Sequence, residues 1–474
     1  MYLLVSIIVL AISTMLFRRA AGSLSIDQLN LISYTFYIMV GSVFLGAVLV
    51  VYDIDGQGHM KRIVDEGVRV SGWYGVMYTF IMMPIGMLLA VNYFKVKSMN
   101  DLVNEHVNRP LIHVFGAGNQ ALKNVLYISS ILSISLVTYT LVQLRDVPIF
   151  NVFRGFDATD LSLDRANARL GSGMISNLIE TQIGLLYVLT FAAYCYWKMG
   201  KKRLDLAWFV ASLTMSILSL GFDLVKARVI LYLIGFVFLT VSLRGKMRLR
   251  SMLLLFLILS GTAVAMYVFF RGVDYSQLSS AFIVFWDIVS GRVVTGQLVG
   301  YYYCLDVFPA VMPHIGFDST GQIIHTILGL PFSQDYGRLV MEYYDPVGIQ
   351  QGIAGHMTTF YQGEAWANFG LPGLLIAPLF VGFFLQSIFI YYIRSPKTPI
   401  LVAYFSYIPS SLTTLSSFMG FYYPYGHIQF IVIILFWVYL SRVFRWFSQV
   451  GPEVESDNDR KSVINPSVVR RGLQ

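Results

Sequence analysis

Apolar residues along this chain gather in runs of about twenty, separated by short polar and often basic stretches, and they do not alternate with polar ones. Runs long enough to cross a bilayer lie near 1–17, 29–52, 70–93, 124–143, 174–197, 205–221, 228–243, 251–270, 364–392, 398–417 and 425–447. A segment in lipid has no water to satisfy its amides, and none of these runs shows the two-residue period of a barrel strand, so each predicts a helix. The expected fold is an all-α, polytopic integral membrane helical bundle of about 11 transmembrane helices, with a large outer loop of short helices. Residues 1–270 would carry helices 1 to 8 and an outer loop at 144–173; 271–363 would form the large loop, with 281–296 as an interfacial or re-entrant helix. Residues 364–447 would carry helices 9 to 11, and 448–474 a polar, disordered tail.

Composition sharpens this picture. Across 474 residues, 56% are hydrophobic and only 13% charged, which excludes a soluble protein. The net charge of +8 is spread through loops and is read as a topology signal, not as a nucleic-acid surface. Two basic clusters, Lys198–Arg203 and Arg244–Arg250, are separated by two spans and so face the same side. Propagating from them puts 18–28, 94–123, 393–397 and the tail inside, and 53–69, 144–173, 222–228, 271–363 and 418–424 outside. The first run precedes Arg18 and Arg19, the reverse of a cleavable signal, and reads as a retained span that starts outside. Cys195 and Cys304 form neither a disulfide framework nor a metal pattern, no cofactor motif stands out, and no metal is expected.

The span interiors are almost free of ionisable groups, with Glu180 the exception; charge collects at the outer boundary. Lys226 and Arg228 precede the seventh span, Arg271 follows the eighth, and Arg292 lies in the stretch suspected of packing over the bundle. Runs 228–243 and 251–270, each crossing about 24 to 30 Å at 1.5 Å per residue, return the chain to the same surface, so these cations can form a cup for a diphosphate, or snorkel and pair with Asp223, Asp274 and Asp287. Glu364, expected in the first turn of the ninth span, and His356 are candidates for a general base; the alternative for Glu364 is complementing the helix dipole. Tyr336, Arg338, Tyr343, Tyr344 and Tyr361 are candidates for sugar stacking, or for an ordinary interfacial belt. The pair Asp53 and Asp55 is a weaker candidate for holding a metal.

The run GEAWANFGLPGLLIAPLFVGFF, Gly363 to Phe384, with Glu364, Trp366, Asn368, Phe369 and Gly370 spaced as E-x-W-x-N-F-G, resembles the Wzy family of O-antigen and exopolysaccharide repeat-unit polymerases. The late large loop and KARVILYLIGFVFL, Lys226 to Leu239, contribute to the resemblance. It implies a glycosyltransferase of the bacterial inner membrane that polymerises undecaprenyl-diphosphate-linked oligosaccharides at the periplasmic side. With the orientation read from the basic loops, it puts the N-terminus in the periplasm and the C-terminus in the cytoplasm, and it adds the lipid-linked oligosaccharide as a partner beside the lipid bilayer, with room for a chain-length regulator protein. An O-antigen ligase and a lipid-linked glycan flippase are the competing readings. The Arg-x10-Gly pattern of some relatives is absent at Arg145, Arg154, Arg165, Arg169, Arg228, Arg271, Arg292 and Arg338, so that subgroup's residue roles do not transfer.

Overall fold

The structure is a computed structural model. It describes residues 1–54, 60–63, 65–113, 120–143, 174–222, 226–248, 250–254, 294–331, 336–351, 360–415 and 417–450, with a few isolated positions between them. The described residues form helices and loops and no strand. In chain order the helices are α1 (Tyr2–Ala21), α2 (Leu31–Val51, π-helical over Met39–Phe44), α3 (Glu66–Tyr93), α4 (Met99–Asn108), α5 (Ala121–Gln143), α6 (Met174–Gly200), α7 (Arg203–Gly221) and α8 (Lys226–Arg244). After them come α9 (Val299–Val307), α10 (Gln322–Leu328), α11 (Tyr336–Tyr344), α12 (Pro346–Gln350), α13 (Tyr361–Arg394), α14 (Pro399–Ser411), α15 (Met419–Tyr422) and α16 (Tyr425–Val450).

Seven helical stretches among the described residues are long and apolar enough to cross a bilayer, so the chain is an all-helical, multi-pass membrane architecture. They are fewer than the eleven expected. Most of the run at 251–270, and the suspected re-entrant stretch 281–296 up to its last few residues, lie outside the described residues. The run at 398–417 is a helix of only 13 residues, about 20 Å long against the ~30 Å of a hydrocarbon core. The large loop does carry short helices, α9 to α12.

The helices pack as two groups, α1, α2, α3, α9 and α13 in one and α5, α6, α7, α8, α14 and α16 in the other. In the first, α3 and α13 cross backbone to backbone: a Cβ on Gly86 would collide with the Leu379 carbonyl, and one on Gly382 with the Met83 carbonyl. Lipid gives no hydrophobic drive to such a crossing, so close packing of small residues supplies it. The second group is joined by small polar side chains. Gln182 of α6 donates to Ser129 and Ser133 of α5 at 3.0 and 2.9 Å, Trp208 of α7 donates to Ser130 at 2.9 Å, and Thr190 meets Ser216 at 2.9 Å.

The described loops that touch one another sort onto two faces, in the grouping read from the sequence. On one, Met247 N donates to Asp27 O, Lys123 pairs with buried Asp205 at 2.5 Å, Ile112 N donates to Lys397 O, and Arg394 donates to Phe94 O. This face holds the basic loops and is called the basic face below. On the far face, Tyr52 accepts from Leu3 N, Arg62 donates to Tyr344 O at 2.6 Å, and Tyr361 N donates to Thr414 O. Buried Arg69 reaches the carbonyls of Val50 and Ile63 and pairs with Asp53 there.

Candidate functional site

The residues Tyr361 to Gly373 do not run straight into a span. Gln362 Nε2 donates to Leu374 O at 3.2 Å, although twelve residues of straight helix separate its ends by about 18 Å. The helix therefore folds back on itself at Gly370, whose φ of 60° and ψ of −139° suit only glycine. Two prolines leave carbonyls for the bend to use. Pro372 cannot donate to Asn368 O, which accepts instead from Gly316 N at 2.9 Å; Pro378 cannot donate to Leu374 O, which takes the Gln362 amide. Ile315 N donates to Ala367 O at 3.0 Å, so loop 312–321 completes the hydrogen bonds that the bend opens.

Each residue of the E-x-W-x-N-F-G run has a place in this bend. Glu364 is 1% exposed; its carboxylate accepts from Ser319 Oγ and from Met419 N, both at 3.0 Å, tying the first turn of α13 to two loops. Asn368 Nδ2 donates to Ser319 Oγ at 2.7 Å, while its buried Oδ1 has no donor among the described residues. Trp366 donates to Phe308 O at 2.8 Å, and Phe369 packs edge-on to Phe317. His314 is exposed, lies edge-on to Trp366 and covers Gly370, where a Cβ would come 2.7 Å from its Nε2.

Outside the bend a groove of about 620 Å³ opens at the far face between α3 and α13. Trp366, Leu371, Leu374 and Leu375 wall one side; Asp65, Ser71, Tyr74 and Tyr78 wall the other, and Leu305 of α9 closes it. Tyr74 and Leu371 are exposed, and Tyr78 donates to Leu375 O at 3.0 Å. The groove is mostly apolar with a polar rim at the membrane boundary, a shape that suits an amphiphile.

The aromatic residues read from the sequence divide. Tyr344 stacks on Tyr303 with ring centroids 3.5 Å apart and donates to Asp306; burial pushes the Tyr303 phenol up to about 12 and raises Tyr344 as well. Tyr343 is 47% exposed beside this stack, and exposed Arg338 pairs with Glu342 one turn on. Tyr336 and Tyr361 are buried, Tyr361 against Phe360 and Phe421, so they are core residues. Arg228 is exposed in the first turn of α8 at its far end, and Lys226 begins that helix. Arg271, Arg292, His356 and Asp55 lie outside the described residues. Asp53 is engaged by Arg69, and no metal-binding cluster of three His, Cys, Asp or Glu occurs among the described residues. Glu180 is exposed in the second turn of α6.

No family model, curated protein or solved structure matches this chain. The functional reading thus rests on the site itself and on the sequence motif that builds it. His314, Ser319 and the groove were missed from the sequence. The signal that could have found them is Gly370-Leu-Pro372, a helix breaker inside an apolar run.

Proposed function

We propose that the chain is a membrane glycosyltransferase that polymerises undecaprenyl-diphosphate-linked oligosaccharide repeat units into O-antigen or exopolysaccharide. The observation that carries this reading is that the motif behind the Wzy resemblance, Glu364 to Gly370, builds one structure, a hydrogen-bonded bend flooring an amphiphile-sized groove at the far face. On this reading the far face is periplasmic and the basic face cytoplasmic, as the Lys and Arg distribution implies, and the membrane is the bacterial inner membrane.

The groove would hold part of the prenyl chain of the donor, leaving its diphosphate at the membrane boundary. Arg228, Lys226, Arg271 and Arg292 are assigned to that diphosphate, and Tyr343, Tyr344 and Arg338 to sugars. The acceptor hydroxyl oxygen attacks the anomeric carbon of the donor glycan. The bond from that carbon to the diphosphate breaks, and its electron pair leaves on the diphosphate oxygen, where the cations stabilise the growing charge. The acceptor's proton passes to a base. Glu364 is closed to solvent and already accepts from two donors, so we assign it to positioning, and the base to an imidazole, His356 or the exposed His314.

A glycan ladder from a deletion strain tests the reading. Surface glycan limited to one repeat unit is the expected result; loss of all surface repeats would replace it with a ligase or a flippase.

A further inference from the structure

A second cavity, about 210 Å³, lies on the opposite, basic face where the two helix groups meet. Its walls are apolar: Phe238 and Val241 of α8, Phe389 and Ile393 of α13, and Phe405 of α14. Helix α4 lies across it and is pinned by contacts to the end of α13, where His106 Nδ1 meets Ile393 O at 3.1 Å and Arg109 donates to the same carbonyl at 3.2 Å. Buried His106 forms part of the cavity lining, and burial, with Lys397 and Arg109 nearby, pushes its imidazole down to about 4, so it is neutral at pH 7.

The rim carries the charge. Arg244 and Lys246 border the cavity, both are exposed, and neither pairs with a carboxylate among the described residues. None of the described residues lining the cavity is acidic. Of the acids on neighbouring elements, Glu105 pairs with Arg109, Asp27 accepts from Ser25, and exposed Asp101 of α4 is not among the residues lining the cavity. Two cations above an apolar slot at a membrane boundary complement one chemistry, a phosphate attached to a hydrocarbon chain.

We propose that this cavity binds an anionic glycerophospholipid of the leaflet that meets the basic face, with its phosphate between Arg244 and Lys246 and part of one acyl chain among the aromatic walls. Because α8 and α14 come from one helix group and α13 from the other, the bound lipid bridges the groups and stabilises their junction. This site is independent of the groove and of the glycosyltransferase reading.

The test uses the purified full-length protein in detergent, with lipid retention read by native mass spectrometry and unfolding read by a thermal shift. Phosphatidylglycerol is expected to be retained and to raise the unfolding temperature, and phosphatidylcholine to do neither. The double variant Arg244→Gln, Lys246→Gln should bind phosphatidylglycerol roughly tenfold or more weakly, since each cation near a lipid surface contributes about fivefold. If that variant does not fold, Lys246→Gln alone should give a smaller loss in the same direction. Equal retention of both lipids, or wild-type retention by a folded charge variant, would overturn the proposal. A thermal shift from inorganic phosphate as large as that from the lipid would overturn it too, by assigning the rim to a free anion.

Discussion

Glu364 shows how a residue can be found by pattern while its surroundings stay hidden. Its place in a first turn was legible from the sequence; its burial was not, because the donors that satisfy it, Ser319 and Met419, lie 45 and 55 residues away. Replacing it with Gln leaves one accepting oxygen and turns an amide toward a donor. Glu364→Gln should therefore cost about 1–3 kcal/mol, read as a lower unfolding temperature in detergent. An unchanged temperature would show that the two hydrogen bonds do not hold the loops. His106 gives a pH dependence with a definite sign. Its folded state resists protonation down to about 4, whereas an unfolded histidine binds a proton near 6.5. Below 6.5 the unfolded chain binds the extra proton, so stability falls as pH drops from 6.5 toward 4 and is restored above that window. A pH series of thermal unfolding should show the fall in the wild type and a flatter curve in His106→Gln.

At the scale of elements, hydropathy placed most of the described long helices within a few residues of their ends, the run at 398–417 excepted, since lipid demands long apolar runs whatever they pack against. It read the ninth run as a span with a polar lead-in. The fold-back at Gly370 escaped it because the bend depends on partners from loop 312–321 that local patterning does not see. Gln362→Leu would leave the Leu374 carbonyl without its donor and should destabilise by about 1–3 kcal/mol, measured by thermal unfolding. Gly370→Ala forces an alanine into a positive φ beneath His314 and should lower both stability and product formation. The α3–α13 crossing carries a parallel expectation. Gly382→Ala must push a methyl into the Met83 carbonyl, and the same unfolding assay should show a larger loss than for Ala substitution at Gly41, where a Cβ meets nothing within 4 Å.

Across the molecule, the described loops that touch one another fall on two faces, grouped as the basic clusters implied. What patterning could not supply was the division into two helix groups, because an apolar residue facing lipid and one facing another helix look alike in sequence. That division is what sets the groove inside the first group and the lipid cavity at the seam. The most direct test of the account is reconstitution: purified protein in liposomes, given only undecaprenyl-diphosphate-linked repeat units. The account predicts a ladder of multi-repeat products from the wild type, and at least a tenfold loss, on the scale of one missing transition-state contact, from a folded Arg228→Ala variant. Wild-type protein that leaves the donor as single repeats, or an Arg228→Ala variant that makes polymer at the wild-type rate, would contradict it.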